Sequence, residues 1–323
     1  MLSSRELTVQ QLRCFVAVAD EQQFTAAADA LHVAQPSISS QIHRLEQILG
    51  GPLFHRDQRP ITLTDAGRAL LPVARRVLGG LEDVMTVVAE VGEVLRGQLT
   101  LGVTPSLAAT LLPHALTEFH RRHPAISLRV VESDTAEITR RLEDGELDLG
   151  LAILPVHAAN VESSALADER LVVIVGTSHP LASRSKVNLL DLADVEMIVF
   201  AEGYGLRQSM LSAFHSLGIA PRVALDGAEI GTCFAYVAAG LGAAIVPSLV
   251  ATTHTGLHVL HLQSPMIERT IGLVRLRNHP LSRAATVFES ELRDYLLQRG
   301  WPGRAHSELS GPGALGTTHA VGA

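Results

Sequence analysis

A chain of 323 residues, 47% hydrophobic and 18% charged, has room for about two domains of roughly 150 residues and is too apolar to be disordered throughout. Its formal net charge of −7 means that a test for overall basicity would miss a nucleic-acid binder. No run of about 18 apolar residues suits a membrane span, and MLSSRELTVQQ at the N-terminus carries no apolar signal core, so no membrane partner and a cytoplasmic location are expected. Two cysteines, Cys14 and Cys233, stand far apart and exclude a disulfide framework or a cysteine-rich metal site.

The first predicted element is a helix over Leu7–Asp20 with Leu12, Phe15, Val16 and Ala19 on its inner face. Cys14 falls in the same apolar pattern and reads as a small buried hydrophobe. Phe24 to Glu46, FTAAADALHVAQPSISSQIHRLE, then spells two short helices and a tight turn, a helix-turn-helix. Alanine-rich Thr25–Leu31 makes the first helix, and His32–Ala34 the turn. Gln35 falls at the N-cap and Pro36 at the first helical position, where proline's missing N–H costs nothing. In the second helix Ile38, Ile42 and Leu45 share one face at i, i+4, i+7, which points into a core. Ser37, Ser40, Gln41 and Arg44 share another. Hydroxyls, an amide and a guanidinium are the groups that reach base edges and phosphates, but any surface helix has a polar face, so this pattern alone leaves the two readings level.

Ile48-Leu49-Gly50-Gly51-Pro52 stops the second helix. Leu53–Arg56 and Pro60–Leu63 then make two short strands around the turn Asp57-Gln58-Arg59, which is a wing. Six blocks occur in order: Gln11 to Ala19, Phe24 to Ala28, Ala34 to Ser39, Arg44 to Glu46, Pro52 to Arg56 and Leu63 to Gly67. This series resembles the N-terminal domain of the LysR-type transcriptional regulators. The resemblance implies a sequence-specific regulator bound to double-stranded operator DNA. Its candidate contacts are Thr25, Gln35, Pro36, Ser37, Ser39, Ser40, Gln41 and Arg44 in the helix-turn-helix, and Arg56 and Arg59 in the wing. Through Asp65 the segment holds five arginines against seven acids, so a few cations must be well placed and dimerisation must double them.

A long helix follows from Thr64 or Asp65. Leu70, Ala74, Val77, Leu81, Val84, Val88, Val91 and Leu95 alternate steps of four and three, a 3.5-residue repeat that predicts a dimeric coiled-coil seam. Pro72 and Gly79-Gly80 should bend or loosen it. The family's linker helix likewise dimerises, and the resemblance further implies dimers of dimers, a homotetramer, with RNA polymerase as a further candidate partner.

From Gly97, strand-like runs (Leu99–Val103, Ile126–Val131, Asp148–Ile153, Leu171–Val175 and later ones) alternate with helical runs (Leu107–Arg122, Thr135–Glu143, Leu206–Leu217, Glu229–Ala239, Arg283–Gln298). Such alternation predicts a parallel-dominated α/β architecture. The expected whole is an α+β multidomain chain. Residues 1–65 form a winged helix-turn-helix DNA-binding domain, 66–96 a coiled-coil linker helix, and 97–300 an α/β effector domain, which the resemblance to the LysR family implies is two-lobed and similar to periplasmic binding proteins. By that resemblance lobe one takes about 97–164 and 268–299 and lobe two about 165–265, while 301–323 read as a disordered tail.

The resemblance further implies an effector in the cleft between the lobes. Gly102-Val103-Thr104-Pro105-Ser106 joins a strand to a helix, and the hydroxyls of Thr104 and Ser106 beside free helical N–H groups suit a carboxylate or other small anion. Ordinary helix capping explains the same residues. Ala201-Glu202-Gly203-Tyr204-Gly205-Leu206-Arg207 is the second place: Gly203 and Gly205 let backbone approach closely, and Arg207 is a cation at the wrong helix end, held by a bound anion or by Glu202. Thr232 is a third candidate. The second stretch also resembles the loop of peroxide-sensing family members, with Gly205 where their reactive cysteine stands, so disulfide-based peroxide sensing is not expected and a small, anionic inducer is. No hydrolase elbow, phosphate loop or metalloprotease motif occurs, so no catalytic residue, cofactor or metal is assigned, and His114, His120 and His123 read as surface histidines. A plain solute-binding module is the competing class, against which the N-terminal blocks argue.

Overall fold

The computed structural model describes residues 7–57, 59–89, 95–251 and 256–298. The predicted tail at 301–323 and the seam residue Val91 lie outside the described residues.

Thr8 opens helix α1 (Val9–Glu21) with a capping box. Its Oγ1 accepts from the Gln11 N–H at 3.3 Å, and its own N–H donates to Gln11 Oε1 at 2.9 Å, satisfying two donors that the first turn leaves open. Helices α2 (Phe24–Ala30) and α3 (Gln35–Leu49) follow. α3 starts one residue earlier than expected: Ala34 is its N-cap, Gln35 and Pro36 lie inside the first turn, and no side chain caps it. Ile38, Ile42 and Leu45 are fully buried against Leu12, Phe15, Val18 and Ala27, which fixes the roll of α3 and turns its other face outward. The two-residue strands β1 (Phe54–His55) and β2 (Thr62–Leu63) pair antiparallel as the wing.

Helix α4 (Asp65–Ala89) leaves the wing beside Gly67. A Cβ there would stand 2.2 Å from the Leu53 carbonyl oxygen, so glycine is what lets helix and wing touch. The predicted seam divides. Leu70 and Ala74 pack into the N-terminal core, Val77 is 44% exposed, and Leu95 is buried in the next domain. A heptad spacing cannot distinguish a seam against a partner from one against the chain's own domain, and the first part of α4 uses the latter.

The remaining elements are β3 (Gly97–Val103), α5 (Pro105–Ala108), α6 (Leu111–Arg122), β4 (Ile126–Glu132), α7 (Thr135–Glu143), β5 (Leu149–Leu154), β6 (Val161–Gly176), β7 (Lys186–Val187), β8 (Glu196–Phe200), α8 (Gly205–Ser216), β9 (Arg222–Ala228), α9 (Ile230–Ala238), β10 (Ala244–Pro247), α10 (Ser248–Ala251), β11 (Leu257–Leu262), β12 (Glu268–Leu276) and α11 (Arg283–Gln298). The strands run β4-β3-β5-β12-β6-β11-β7, with β10 also on β6 and β8 paired to β9. β6, of 16 residues, organises both lobes: Val161–Arg170 pairs with β12, and Leu171–Gly176 with β10 and β11, all antiparallel. The arrangement is therefore mixed rather than parallel-dominated. Lobe one packs around Leu101, Phe119 and Phe288, and lobe two around Ile174, Val199 and Phe214.

The helix predicted over Leu107–Arg122 is two helices, because Pro113 cannot donate to a preceding turn and must sit in the first turn of a new one. Arg75 of α4 joins the halves of the molecule. It is paired with Asp20 of α1 and, at 2.7 Å, with Glu146 before β5.

Candidate functional site

Two sites emerge, an exposed helix face and a cleft. On α3, Gln35, Pro36, Ser37, Ser40 and Arg44 are exposed, Gln41 and Ser39 half-buried, and Gln35 Nε2 donates to Ser39 Oγ at 3.0 Å. Pro36 has no N–H and the Ser37 N–H donates to the Ala34 carbonyl at 2.9 Å, so the first turn of α3, without a capping side chain, leaves the Gln35 N–H open to an acceptor such as phosphate. Thr25 is exposed on α2 and Arg59 in the wing turn. Arg56 is held: Nη2 donates to Glu46 Oε2 at 2.7 Å, and the guanidinium lies 5.5 Å from the centre of the Phe24 ring. Glu46 also accepts from the Leu53 N–H at 2.9 Å. Arg56 and Glu46 thus clamp the wing to the end of α3, a role that its place in a turn did not suggest.

Between the lobes lies a cavity of about 60 Å³. Lobe one lines it with Thr104, Ser106, Asp134, Thr135 and Ile153, lobe two with Tyr204, Gly205, Leu206 and Ser209, and Arg269 of β12 lies at the junction. Of the expected effector residues, Thr104, Ser106 and Gly205 line this cavity. Ala201, Gly203, Arg207 and Thr232 do not. Thr104 is 7% exposed, and its Oγ1 has no hydrogen-bond partner among the described residues. The helix beyond it, α5, spans only four residues, so the helical field expected there is that of a single turn.

Beneath the cavity is a buried ion pair that sequence reasoning missed. Arg269 Nε donates to Glu169 Oε2 at 2.8 Å and Nη1 to Ser106 Oγ at 2.9 Å, while the Leu249 N–H donates to Glu169 Oε1 at 2.9 Å. Arg269 and Glu169 face each other in the β12–β6 ladder where β6 passes between lobes. Burial pulls the Arg269 pKa down and Glu169 opposes it; arginine stays charged at such a site. The only advance signal is the charged triplet Asp168-Glu169-Arg170 and the charged pair Glu268-Arg269.

Arg207, in the first turn of α8, is paired with Asp226 of β9 and donates to the Phe200 carbonyl at 2.8 Å. Its cation is engaged on lobe two rather than in the cleft. Thr232 Oγ1 donates to the Glu229 carbonyl at 3.3 Å. Tyr204 donates to Glu229; burial, that hydrogen bond and the carboxylates of Glu229, Glu132 and Asp134 all raise its phenol above the ordinary tyrosine range. Cys233 is fully buried in lobe two, and burial pushes its thiol up to about 12. Cys14 is buried in the N-terminal core. His123 pairs with Glu291 at 2.9 Å. Among the described residues no helix is long and apolar enough to cross a membrane.

Residues 9–68 match the family model described as "Bacterial regulatory helix-turn-helix protein, lysR family", and residues 92–297 that of the "LysR substrate binding domain". A probable hydrogen peroxide-inducible genes activator of Mycobacterium avium is 34% identical over 83% of this chain and 87% of its own length. A full-length cysteine-to-aspartate variant of OxyR from Pseudomonas aeruginosa superposes with a TM-score of 0.73 at 27% identity, covering 89% of this chain and 95% of that one. Full-length CbnR, solved in complex with its target DNA, gives a TM-score of 0.65 at 27% identity over 89% of this chain and 99% of that one.

Proposed function

This chain belongs to the LysR family of transcriptional regulators, DNA-binding proteins with an effector-binding domain, and from that premise we propose how its parts divide the work. The observation that carries the proposal is the locked roll of α3. Ile38, Ile42 and Leu45 are fully buried, so Ser37, Ser40 and Arg44 face outward together as a major-groove reading surface. Gln35 and Pro36 hold the open N-terminus of α3 against a phosphate, Thr25 and Arg59 reach the flanking backbone, and Ser39 and Gln41 support the reading face. Two subunits pair through the exposed part of α4, including Val73 and Val77, and present two α3 helices to half-sites about one helical turn, or multiples of it, apart. Further pairing of effector domains into a tetramer follows the same logic, and such a complex acts on promoter DNA in the cytoplasm, beside RNA polymerase.

The effector sits in the cleft at Thr104, Ser106 and Gly205 and shifts the balance between arrangements of the subunits on DNA. It is not peroxide acting through a thiol. Gly205 stands where the peroxide-sensing pattern has a cysteine, and Cys233, buried with a raised pKa, stays a protonated, unreactive thiol.

A gel shift with Arg44→Ala tests the reading face. Loss of a base or phosphate contact should weaken binding by about tenfold at roughly 0.15 M salt and flatten the salt dependence. An unchanged affinity and slope would remove Arg44 from the interface.

A further inference from the structure

The charge of the cleft that no ion-pair partner cancels is of one sign, and this decides what it can hold. Arg207 is spent on Asp226. Arg269 lines the cavity, but its charge is cancelled by Glu169, whose side chain is fully buried beneath it. What remains is acid. Asp134 lines the cavity from lobe one; its Oδ1 accepts from the Glu137 N–H at 2.8 Å, and its Oδ2 lies 3.2 Å from where a Cβ on Gly203 of lobe two would stand. Glu132 follows from the end of β4, and Glu229 bonds Tyr204 on the opposite lobe. Among the described residues none of these three carboxylates is paired with a cation.

Two hydrogen-bonding groups complete the set. Thr104 Oγ1 is buried and unpartnered, and Arg269 Nη2, although 2.6 Å from Glu169 Oε2, has no acceptor in hydrogen-bonding alignment. The cavity's 60 Å³ is roughly four to six water positions at about 10–15 Å³ each, which suits a ligand of a few non-hydrogen atoms.

We infer that the effector cleft is built for a small organic cation of the amino-alcohol type. Its ammonium group is met by Asp134 and the acidic rim, and its hydroxyl by Thr104 and Arg269. This rests on the reading of the cleft as the effector site and replaces the expected anion, which would meet Asp134 in the cavity without a free cation to hold it. Glu229 of lobe two and Glu132 and Asp134 of lobe one all act on the Tyr204 phenol, and their like charges favour a cation held among them.

The test compares ethanolamine, glycolate and ethylene glycol, close in size and different in charge, by thermal unfolding of the full-length protein at fixed ionic strength. Ethanolamine should raise the melting temperature saturably, with a midpoint at least tenfold below those of glycolate and ethylene glycol. Asp134→Asn should move the ethanolamine midpoint up at least tenfold. Asparagine caps a helix about as well as aspartate, so α7 keeps its start and the charge alone is removed. A glycolate midpoint equal to or below that of ethanolamine, an unchanged midpoint in Asp134→Asn, or no saturable response to ethanolamine overturns the inference. A glycolate response abolished by Thr104→Val would leave the cleft as the effector site and overturn only its charge class.

Discussion

Thr104→Val should make the ligand-free protein more stable, although it deletes a hydroxyl from a candidate binding site. The native hydroxyl is buried and makes no hydrogen bond among the described residues. An unpaired polar group in such a place costs about 1–3 kcal/mol. Valine keeps the branched shape and puts a methyl against the apolar wall given by Ile153 and Leu206. At roughly 2–4 °C per kcal/mol for a domain of about 150–250 residues, the melting temperature should rise by ~2–12 °C, read by circular dichroism on the full-length protein. The ethanolamine response should weaken in the same variant. A fall of about 2 °C or more would mean that the hydroxyl already holds a structural hydrogen bond and does not await a ligand.

The buried pair at the lobe junction should behave oppositely. Glu169→Gln leaves Arg269 charged and unpaired and should lose about 3–5 kcal/mol, whereas the double change Glu169→Leu with Arg269→Met should recover most of it; urea unfolding of both variants decides, and a cost under about 1 kcal/mol for the single change contradicts the pairing. Acid stability offers a separate check. Arg140 first, then Arg141, hold the Glu137 carboxyl down at about 2, below its unfolded value near 4.3. A lowered folded pKa contributes stability that is present above the unfolded pKa and lost as pH falls through the folded one. The melting-temperature gap between the native chain and Glu137→Gln should therefore be constant above about pH 5 and close towards pH 2. A gap that does not narrow below pH 4 would show that these arginines do not hold the carboxylate.

Much of the N-terminal domain was legible because its information is local. The face of Ile38, Ile42 and Leu45, the Gly50-Gly51-Pro52 stop and the turn around Asp57 each act within a few residues. The cleft was half legible for the same reason, since Thr104, Ser106 and Gly205 sit at strand–helix turns that a sequence displays. Arg207 was visible as an oddly placed cation, but its partner Asp226 belongs to the neighbouring strand β9, and periodicity does not report strand pairing. Glu169 and Arg269 could not be paired from the sequence because β6 and β12 bring them together from 100 positions apart. The acidic rim was hidden likewise: Asp134 caps α7, and only the fold carries it across to the loop of Gly203. The seam of α4 shows the limit in another form, as the same spacing serves an inner core at Ala74 and an open face at Val77.

The measurement that bears most directly on what this protein does is selection of random-sequence DNA duplexes by the full-length chain, run in parallel with Arg44→Ala and followed by sequencing. The native chain should enrich paired half-sites in inverted orientation, their centres about 10–10.5 base pairs or a multiple apart, and Arg44→Ala should lose that enrichment. A native chain that enriches nothing, or whose enriched sequence is untouched by Arg44→Ala, would contradict the assignment of α3 as the element that reads DNA.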